Sequence, residues 1–404
     1  MRVLFINAVC GNGSTGRIVT DLCDILKNKG NQVKVIYGLG EATRIDKKDT
    51  VRVSNKIDYY IHNGLSRLSD RAGFYSHYST RKMISEIKEF NPDIINLHNL
   101  HGYYVNIRML FKFLSDYNVP VVWTLHDCWA MTGHCAHFDY IKCNKWETQC
   151  YDCPQIFSYP KSYFVDKSKK NYEDKKRLFT GIKDMTIITP SQWLGNIVNK
   201  SFLNKYPVKV INNGIDLSIF RPCKSNFKLE NNIVEKKMIL AVANDWNSKK
   251  GLTDVFNLSN IIDKNKFKIV VVGLTDKQLD TIPSNIIGIS RTSSLDKLVE
   301  IYSAADVFIN TTYEDTYPTV NIEALACGTP IVTYNTGGSP EIIDDTCGIV
   351  VEQGNIYSLK KAIETIAFCK EKIKYNCLER ARHNEKKLSY KKYYDLFVEK
   401  ANLL

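Results

Sequence analysis

Short apolar runs alternate with longer stretches of helical periodicity along most of this chain. The runs are rich in β-branched and aromatic residues and are bounded by glycine or polar residues, which is typical of buried strands. Six of them precede residue 215 and five follow it: RVLFINAV, QVKVIYG, IINLH, VVWTLHD, MTIITPS and VKVINNG, then MILAVAN, KIVVVG, ADVFIN, PIVTYN and CGIVV. Strands that alternate with helices predict an α/β fold built from doubly wound parallel sheets.

The length of 404 residues is sufficient for two such domains, each with its own core. A turn at Asn213-Gly214 and the nearby Pro222 favour a boundary between them. The predicted divisions are a first domain at 1–215 with a Cys-rich insertion at 128–154, a second domain at 216–384, and a C-terminal segment with helical spacing at 385–404.

Composition and charge narrow the class of protein. A hydrophobic content of 44% with 24% charged residues is that of a globular protein. No run approaches the roughly 18 apolar residues of a membrane span, and the N-terminus is read as a strand and not an export signal, so we expect a cytoplasmic protein. The net charge of +12 fits an anionic membrane, nucleic acid or an anionic substrate. No nucleic-acid-binding motif is present, so nucleic acid is not an expected partner.

The segment that follows ADVFIN combines a strand tip with the start of a helix. NIEALACG predicts a helix that Thr316 or Thr319 caps, that has Pro318 in its first turn and that ends at Gly328. The unpaired N–H groups and the positive dipole end of such a helix suit a diphosphate.

Two carboxylates belong to this segment, Asp315 at the strand tip and Glu323 in the helix, with seven residues between them. The string from Asp315 to Glu341, DTYPTVNIEALACGTPIVTYNTGGSPE, resembles the C-terminal half of the retaining GT-B glycosyltransferases of family 4. That family has an acid, seven residues and Glu, followed by EAxACGTPVV and a GGxPE loop. Glu314 precedes Asp315, so either residue is a candidate for the first acid.

The resemblance implies a role for each part of the string. It implies that Glu323 binds the ribose hydroxyls of a nucleotide, whereas in isolation Glu323 could simply be an acid favoured by the helix dipole. It also implies that the first acid and the GGSPE loop face the donor sugar. In GT-B proteins two Rossmann-like domains face a cleft and the C-terminal helix returns to the first domain, so we expect that of 385–404.

Further donor contacts are expected in the loop after MILAVAN. Lys250 matches the lysine of the family, but Asn244 or Asp245 occupies the place of its usual arginine, so Lys249 is the candidate second cation. The predicted donor-binding residues are Gly16, Asn247, Lys249, Lys250, Arg291, Glu314, Thr316, Tyr317, Pro318, Thr319, Gly337 and Gly338.

Glycine and histidine residues end several strands of the first domain. The turn CGNGSTGR, which includes Gly16, lacks the glycine spacing and the later acid of a dinucleotide fingerprint. The resemblance implies that His126 contacts the donor sugar, and Asp127 either orients it or contacts the acceptor. His98 and His101 are either site residues or ordinary rim histidines. The predicted catalytic residues are His126, Asp127, Asp315 and Glu323.

Five of the 12 cysteines lie from Cys128 to Cys153. Cys135, Cys143, Cys150 and Cys153 are separated by seven, six and two residues. In a cytosolic protein this clustering predicts either a structural zinc site or a set of reduced, packed thiols, because disulfides are rare there.

The segment 161–177 carries seven basic residues with Tyr163, Phe164 and Tyr172. Such a segment is either a solvated face or a peripheral contact with anionic lipid at the inner face of the cell membrane.

The resemblance implies a glycosyltransferase of the hexosyltransferase type. The expected reaction moves a sugar from a UDP- or GDP-sugar to a glycan or lipid-linked glycan in surface polysaccharide biosynthesis, with retention of configuration. The resemblance implies no catalytic metal, since cations and N–H groups neutralise the leaving diphosphate. The alternatives are a sugar-nucleotide epimerase of the same fold, a phosphorylase, which the absence of a pyridoxal-lysine context disfavours, and a non-enzymatic binding protein for glycans.

Overall fold

The computed structural model describes residues 1–401, and they form two compact units. One unit comprises Met1–Ile211 and the chain from Tyr390 onward, and the other comprises Asn212–Ser389. The chain therefore enters the second unit a few residues before the boundary expected after residue 215.

Seven parallel strands form the sheet of the first unit. They are β1 (Arg2–Val9), β2 (Gln32–Leu39), β3 (Thr50–Arg52), β4 (Ile94–Leu97), β5 (Val121–Thr124), β6 (Met185–Thr189) and β7 (Val208–Val210). Their order in the sheet is β3-β2-β1-β4-β5-β6-β7. The order reverses between β1 and β4, and such a reversal opens a crevice at the C-terminal ends of the strands.

Strand β1 shows why the apolar runs became central strands. Its residues from Val3 to Ile6 are fully buried, because β1 pairs with both β2 and β4 and both faces of the sheet are covered. Leu4 and Ile6 belong to the core on one face, and Val3 and Phe5 belong to the core on the other.

Six parallel strands form the sheet of the second unit. They are β8 (Lys237–Val242), β9 (Phe267–Val272), β10 (Ile286–Ile289), β11 (Val307–Asn310), β12 (Ile331–Tyr334) and β13 (Gly348–Val351). Their order is β10-β9-β8-β11-β12-β13, with the reversal between β8 and β11. The doubly wound α/β fold predicted from the sequence is thus confirmed.

Helices connect these strands, and three more follow the last strand. They are α1 (Gly13–Asn28), α2 (Lys56–Ser69), α3 (His77–Phe90), α4 (Ile107–Tyr117), α5 (Ser168–Phe179), α6 (Gln192–Lys200), α7 (Phe227–Glu230), α8 (Leu252–Ile261), α9 (Asp276–Leu279), α10 (Leu295–Ala304), α11 (Thr319–Ala326), α12 (Ile356–Ile366), α13 (Lys370–Arg382) and α14 (Lys386–Ala401). Short 3-10 turns occur at Lys47–Asp49, Trp129–Met131, Lys145–Glu147, Ser248–Lys250 and Pro340–Ile342. Among the helices of residues 1–401, none has the length and apolar character needed to cross a membrane.

Helix α14 contributes to the core of the first unit. Tyr390, Tyr393, Leu396 and Phe397 are buried in the same cluster as Phe5 of β1. The last part of the predicted C-terminal segment, residues 402–404, lies outside the described residues.

The basic segment 161–177 is only partly exposed to solvent. Tyr163 and Phe164 are exposed, whereas Tyr172 is buried. The ammonium group of Lys175 is also buried, where it donates to the carbonyl of Trp129 at 2.7 Å. Helix α5 thus turns Tyr172 and Lys175 into the protein, and a lipid contact by the rest of the segment stays a prediction.

Candidate functional site

Three loops of the second unit meet at the C-terminal edge of its sheet. Strand β11 pairs with β8 on one side and with β12 on the other, so the loops that follow these three parallel strands are neighbours. The Tyr313 N–H donates to the carbonyl of Lys249 at 2.7 Å, which joins the first two loops. The Gly338 N–H lies 3.4 Å from the carbonyl of Asp315, which joins the third.

The neighbouring loops bring two predicted lysines against the two predicted acids. Lys250 Nζ lies 2.7 Å from Asp315 Oδ2, and Lys249 Nζ lies 2.7 Å from Glu314 Oε2. The side chain of Glu314 is only 3% exposed, compared with 23% for that of Asp315. Asp315 is therefore the acid that a ligand can reach more easily.

Asn247 holds the lysine loop in its conformation. Its Oδ1 accepts hydrogen bonds from the N–H groups of Lys249, at 3.0 Å, and Lys250, at 3.2 Å. The loop is thus organised by this cap, and Lys249 and Lys250 supply its positive charge.

The first turn of α11 differs from the expectation. Pro318 is the N-cap residue and makes no side-chain cap, Thr319 is the first helical residue, and Thr316 is buried in the preceding loop. The predicted threonine cap is therefore wrong. Instead, the Tyr317 N–H donates to Asp315 Oδ1 at 3.2 Å, and the Tyr317 hydroxyl donates to Asn384 Oδ1 at 2.7 Å.

Glu323 lies on α11 and is positioned by a tyrosine that the sequence reasoning missed. The hydroxyl of Tyr302, on α10, donates to Glu323 Oε2 at 2.9 Å. Burial, with the negative charge of Glu323, raises the pKa of Tyr302 well above its usual value, so the phenol stays a hydrogen-bond donor. No local pattern marks Tyr302, because its role depends on the packing of two helices.

The glycine pair after β12 allows a close approach between loops. Gly337 has a φ of +52°, and a Cβ atom there would lie 1.8 Å from the carbonyl oxygen of Asp315. Only glycine fits this position.

Arg291, also predicted to bind the donor, lies farther along the same sheet. It follows β10, and two strands, β9 and β8, separate β10 from β11 in the sheet.

In the first unit, His126 forms a pair with His98. His98 Nδ1 lies 2.9 Å from His126 Nε2, and the two rings are stacked with centroids 5.2 Å apart. His98 Nε2 lies 2.9 Å from Asn96 Oδ1, and the amide nitrogen of Asn96 donates to the carbonyl of Val122.

These contacts define the protonation of the pair. The oxygen of Asn96 faces His98 Nε2, so that nitrogen carries a proton and His98 Nδ1 accepts one from His126 Nε2. Burial lowers the pKa of His98 well below its usual value, with a further contribution from His126. Burial also lowers the pKa of His126 to about 4. Both imidazoles are therefore neutral near pH 7.

Asp127 is paired with His101. Asp127 Oδ2 lies 2.7 Å from His101 Nε2, and Asp127 Oδ1 accepts from the Trp129 N–H at 2.8 Å. Burial would raise the pKa of Asp127, but His101 outweighs it through its charge and hydrogen bond, so the pKa is lowered. His101 Nδ1 also contacts the Tyr159 hydroxyl at 2.9 Å. His98 therefore contacts His126 directly, and Asp127 bonds to His101.

The glycine turn after β1 packs tightly. Gly11 donates its N–H to the carbonyl of Gly16 at 3.1 Å. A Cβ at Gly16 would lie 3.0 Å from the nitrogen of Gly11, so Gly16 lets α1 begin close to the strand.

The four cysteines of the insertion line one small cavity together with Phe138 and Trp146. Cys135 is hydrogen-bonded to Cys153, and Cys150 Sγ accepts from the Gly133 N–H at 3.2 Å. Among the residues that the structure describes, no group of three or more His, Cys, Asp or Glu side chains is arranged to hold a metal ion. The contacts of Cys135, Cys150 and Cys153 therefore fit the predicted alternative of reduced, packed thiols better than a zinc site.

Comparison with known proteins identifies the family. The model for Glycosyltransferase Family 4 matches residues 15–219, and that for Glycosyl transferases group 1 matches residues 224–384. WcaC of Escherichia coli (strain K12), a glycosyl transferase provisionally assigned to colanic acid biosynthesis, is 23% identical over 89% of each chain. A D-inositol 3-phosphate glycosyltransferase of Corynebacterium jeikeium is 22% identical over 83% of this chain and 79% of its own.

Solved structures share the fold at low sequence identity. The sucrose-phosphate synthase of Thermosynechococcus elongatus has a TM-score of 0.72 at 14% identity, with 99% of this chain and 98% of that chain covered. Anabaena HepE, solved with UDP-glucose, has a TM-score of 0.66 at 15% identity, with both chains fully covered. The chain described above belongs to glycosyltransferase family 4 and is a glycosyltransferase with the GT-B fold.

Proposed function

We propose that this enzyme transfers a sugar from a UDP- or GDP-sugar to a glycan or lipid-linked glycan, with retention of configuration, in surface polysaccharide biosynthesis at the cytoplasmic face of the cell membrane. The observation that carries the proposal is the set of paired charges beside the start of α11, where Lys249 and Lys250 meet Glu314 and Asp315. Two ammonium groups next to a helix N-terminus suit the diphosphate of a nucleotide sugar. Similarity to WcaC supports the polysaccharide context, and the complex of HepE with UDP-glucose supports a nucleotide-sugar donor.

The proposed roles follow from the chemistry of each group. Glu323, oriented by Tyr302, accepts hydrogen bonds from the ribose diol. Lys250 contacts both a phosphate oxygen and Asp315, which lies 2.7 Å away and faces the sugar. The acceptor hydroxyl attacks the anomeric carbon on the side that the diphosphate leaves, the electrons of the broken bond pass to the diphosphate, and a phosphate oxygen takes the acceptor proton. His126, which is neutral and donates its Nε2–H to His98, accepts a hydrogen bond from the sugar.

A panel of UDP- and GDP-sugars in a thermal-shift assay tests donor binding, because a ligand that binds only the folded state raises stability by about 2.7 kcal/mol at 100 times its Kd. We expect one donor to shift the wild type and Glu323→Gln to lose most of that shift. The control is Glu352→Gln, an exposed acid of the same unit. Absence of a shift with every nucleotide sugar, or an undiminished shift in Glu323→Gln, would contradict the assignment.

Product analysis tests the reaction itself. Release of nucleoside diphosphate only in the presence of acceptor distinguishes a transferase from an epimerase. The anomeric proton coupling of the product, compared by NMR with that of the donor, distinguishes retention from inversion.

A further inference from the structure

Helix α2 turns polar residues towards the protein, whereas an ordinary surface helix buries its apolar face. His62 and Ser66 are its buried side chains. His62 Nδ1 lies 2.7 Å from Ser76 Oγ, and His62 Nε2 accepts the Gly73 N–H at 3.0 Å. These bonds fix the orientation of the helix, so the opposite face is held towards solvent.

That opposite face is apolar. Its large side chains are between 40% and 71% exposed: Ile57, Tyr60, Ile61, Leu65 and Leu68. Their spacing of three, one, four and three residues places them on a single stripe of the helix. A soluble helix normally turns such a stripe towards the core, so the exposure indicates that something outside this chain covers it.

A second segment extends the apolar stripe. The Tyr163 N–H donates to the carbonyl of Arg67 at 2.9 Å, which fixes the segment against the end of α2. Tyr163 and Phe164 are themselves 48% and 74% exposed. We call the α2 face the set formed by Ile57, Tyr60, Ile61, Leu65, Leu68, Tyr163 and Phe164.

Basic residues flank the α2 face. Lys56, Arg67 and Lys161 are exposed, and the guanidinium of Arg67 lies 5.9 Å from the centre of the Tyr163 ring. Asp58, the sole acid within the α2 sequence, accepts a hydrogen bond from Ser79 Oγ at 2.6 Å on the buried side. The carboxylate of Asp166, the acid of the second segment, accepts hydrogen bonds from the N–H groups of Cys153 and Ser168. The face therefore combines apolar side chains with three exposed basic residues.

From this combination we infer that the α2 face docks on an anionic lipid bilayer. The aliphatic and aromatic side chains enter the headgroup region, and the three basic residues contact lipid phosphates. A second copy of the chain fits this face less well, because a symmetric contact would bring Lys56, Arg67 and Lys161 of both copies together. The inference specifies the membrane contact within the proposed function and rests on that part of it.

Vesicle flotation with the full chain tests the inference. The probes are vesicles of phosphatidylcholine alone and vesicles of phosphatidylcholine with phosphatidylglycerol. We expect the wild type to bind the anionic vesicles at least about tenfold more tightly, and high salt to weaken the binding. The variant Ile61→Glu with Leu68→Glu should reduce that binding at least about tenfold.

The matched control is Leu229→Glu with Tyr357→Glu, which changes two residues of the second unit that are 67% and 76% exposed. It should float as the wild type does, and circular dichroism should show that both variants are folded.

If the wild type fails to float, the membrane contact itself is rejected. If the α2 variant floats normally, the contact lies elsewhere. A wild-type dimer that the α2 variant dissociates, without lipid binding, would make the face an interface between copies. The thermal shift with nucleotide sugars reports on the proposed reaction separately.

Discussion

The two adjacent acids at the tip of β11 have different surroundings. Glu314 is almost completely buried against Lys249, whereas Asp315 is partly exposed and contacts Lys250. Burial next to a cation suits a structural role, and exposure suits contact with a ligand. This difference bears on which of them acts as the first acid of the family motif.

We expect Asp315→Asn to reduce transfer on the order of 10²-fold with little effect on stability, because the proposed function places this charge at the donor sugar. Glu314→Gln should instead lower the free energy of unfolding by about 1–3 kcal/mol, because Lys249 loses its charged partner. Transfer assays measure the loss of activity in both variants, and urea unfolding measures the change in their free energy of unfolding. The reverse ranking of the transfer rates would assign the first-acid role to Glu314.

Buried histidines make stability depend on pH. Burial lowers the pKa of His62 from 6.5 to about 3, and that of His98 is also lowered. As the pH falls, these histidines bind protons in the unfolded chain before they do so in the folded protein. The stability that comes from keeping His62 and His98 neutral is therefore fully present above pH 6.5 and is lost below it. Burial alone would lower the pKa of His134, but the hydrogen bond and charge of Asp70 outweigh burial, so the pKa is raised. Protonation of His134 therefore favours the folded protein as the pH falls.

We therefore expect the free energy of unfolding to fall between pH 7 and pH 5, by up to about 1.4 kcal/mol per pH unit for each lowered histidine. Urea unfolding at several pH values measures the slope. His62→Gln should flatten it, whatever its effect on stability at pH 7. Equal stability at pH 7 and pH 5 in the wild type would contradict the prediction.

At the scale of elements, the C-terminal ends of β8, β11 and β12 bring together the loops that carry most of the proposed donor-binding residues. The contact between the loops after β11 and β12 depends on Gly337, whose positive φ and close approach to Asp315 exclude a side chain. The conformation of Asp315 is thus tied to the glycine pair.

Gly337→Ala should displace the loop and reduce both stability and transfer, since the new methyl group would overlap the carbonyl of Asp315. Gly30→Ala is the control, because Gly30 also has a positive φ, of +76°, but nothing lies within 4 Å of its added Cβ. We expect a cost of about 1–2 kcal/mol for the control from backbone strain alone. Thermal unfolding and transfer assays should show a larger loss for Gly337→Ala, and equal losses would mean that the loop adapts.

At the scale of the whole molecule, residues from the end of the chain complete the core at its beginning. Phe397 is fully buried, and its ring centroid lies 6.3 Å from that of Phe5. The first unit therefore lacks part of its core until α14 has been synthesised.

Phe397→Ala should lower the stability of the first unit by about 3–5 kcal/mol, because it leaves a cavity in this core. Phe368→Ala, at a position that is 55% exposed, should cost about 1 kcal/mol or less. Denaturant unfolding followed by hydrogen exchange measures where the loss occurs. Similar costs for the two variants would show that α14 is dispensable for the core.

The amino-acid sequence was sufficient for the fold class and the family. The long strands were predicted because buried strands need consecutive apolar, β-branched residues, and that requirement is local. The pairing of Lys249 and Lys250 with the acids also had a sequence signal, since loops after adjacent parallel strands share one edge of a sheet. Strands β3 and β10 were missed because Val51 is the single apolar residue of β3 and Gly288 interrupts the apolar run of β10.

Tertiary packing decided the rest. The hydrogen bond from Tyr302 to Glu323, the pairing of His98 with His126 and the bonds among the cysteines join residues whose local sequences contain no sign of the partner. The apolar spacing of α2 alone would predict a stripe that faces the core. It faces outward because His62 and Ser66 are buried, and His62 is bonded to Ser76 and Gly73. Periodicity indicates that a helix has two faces, but it does not indicate which face the neighbouring elements cover.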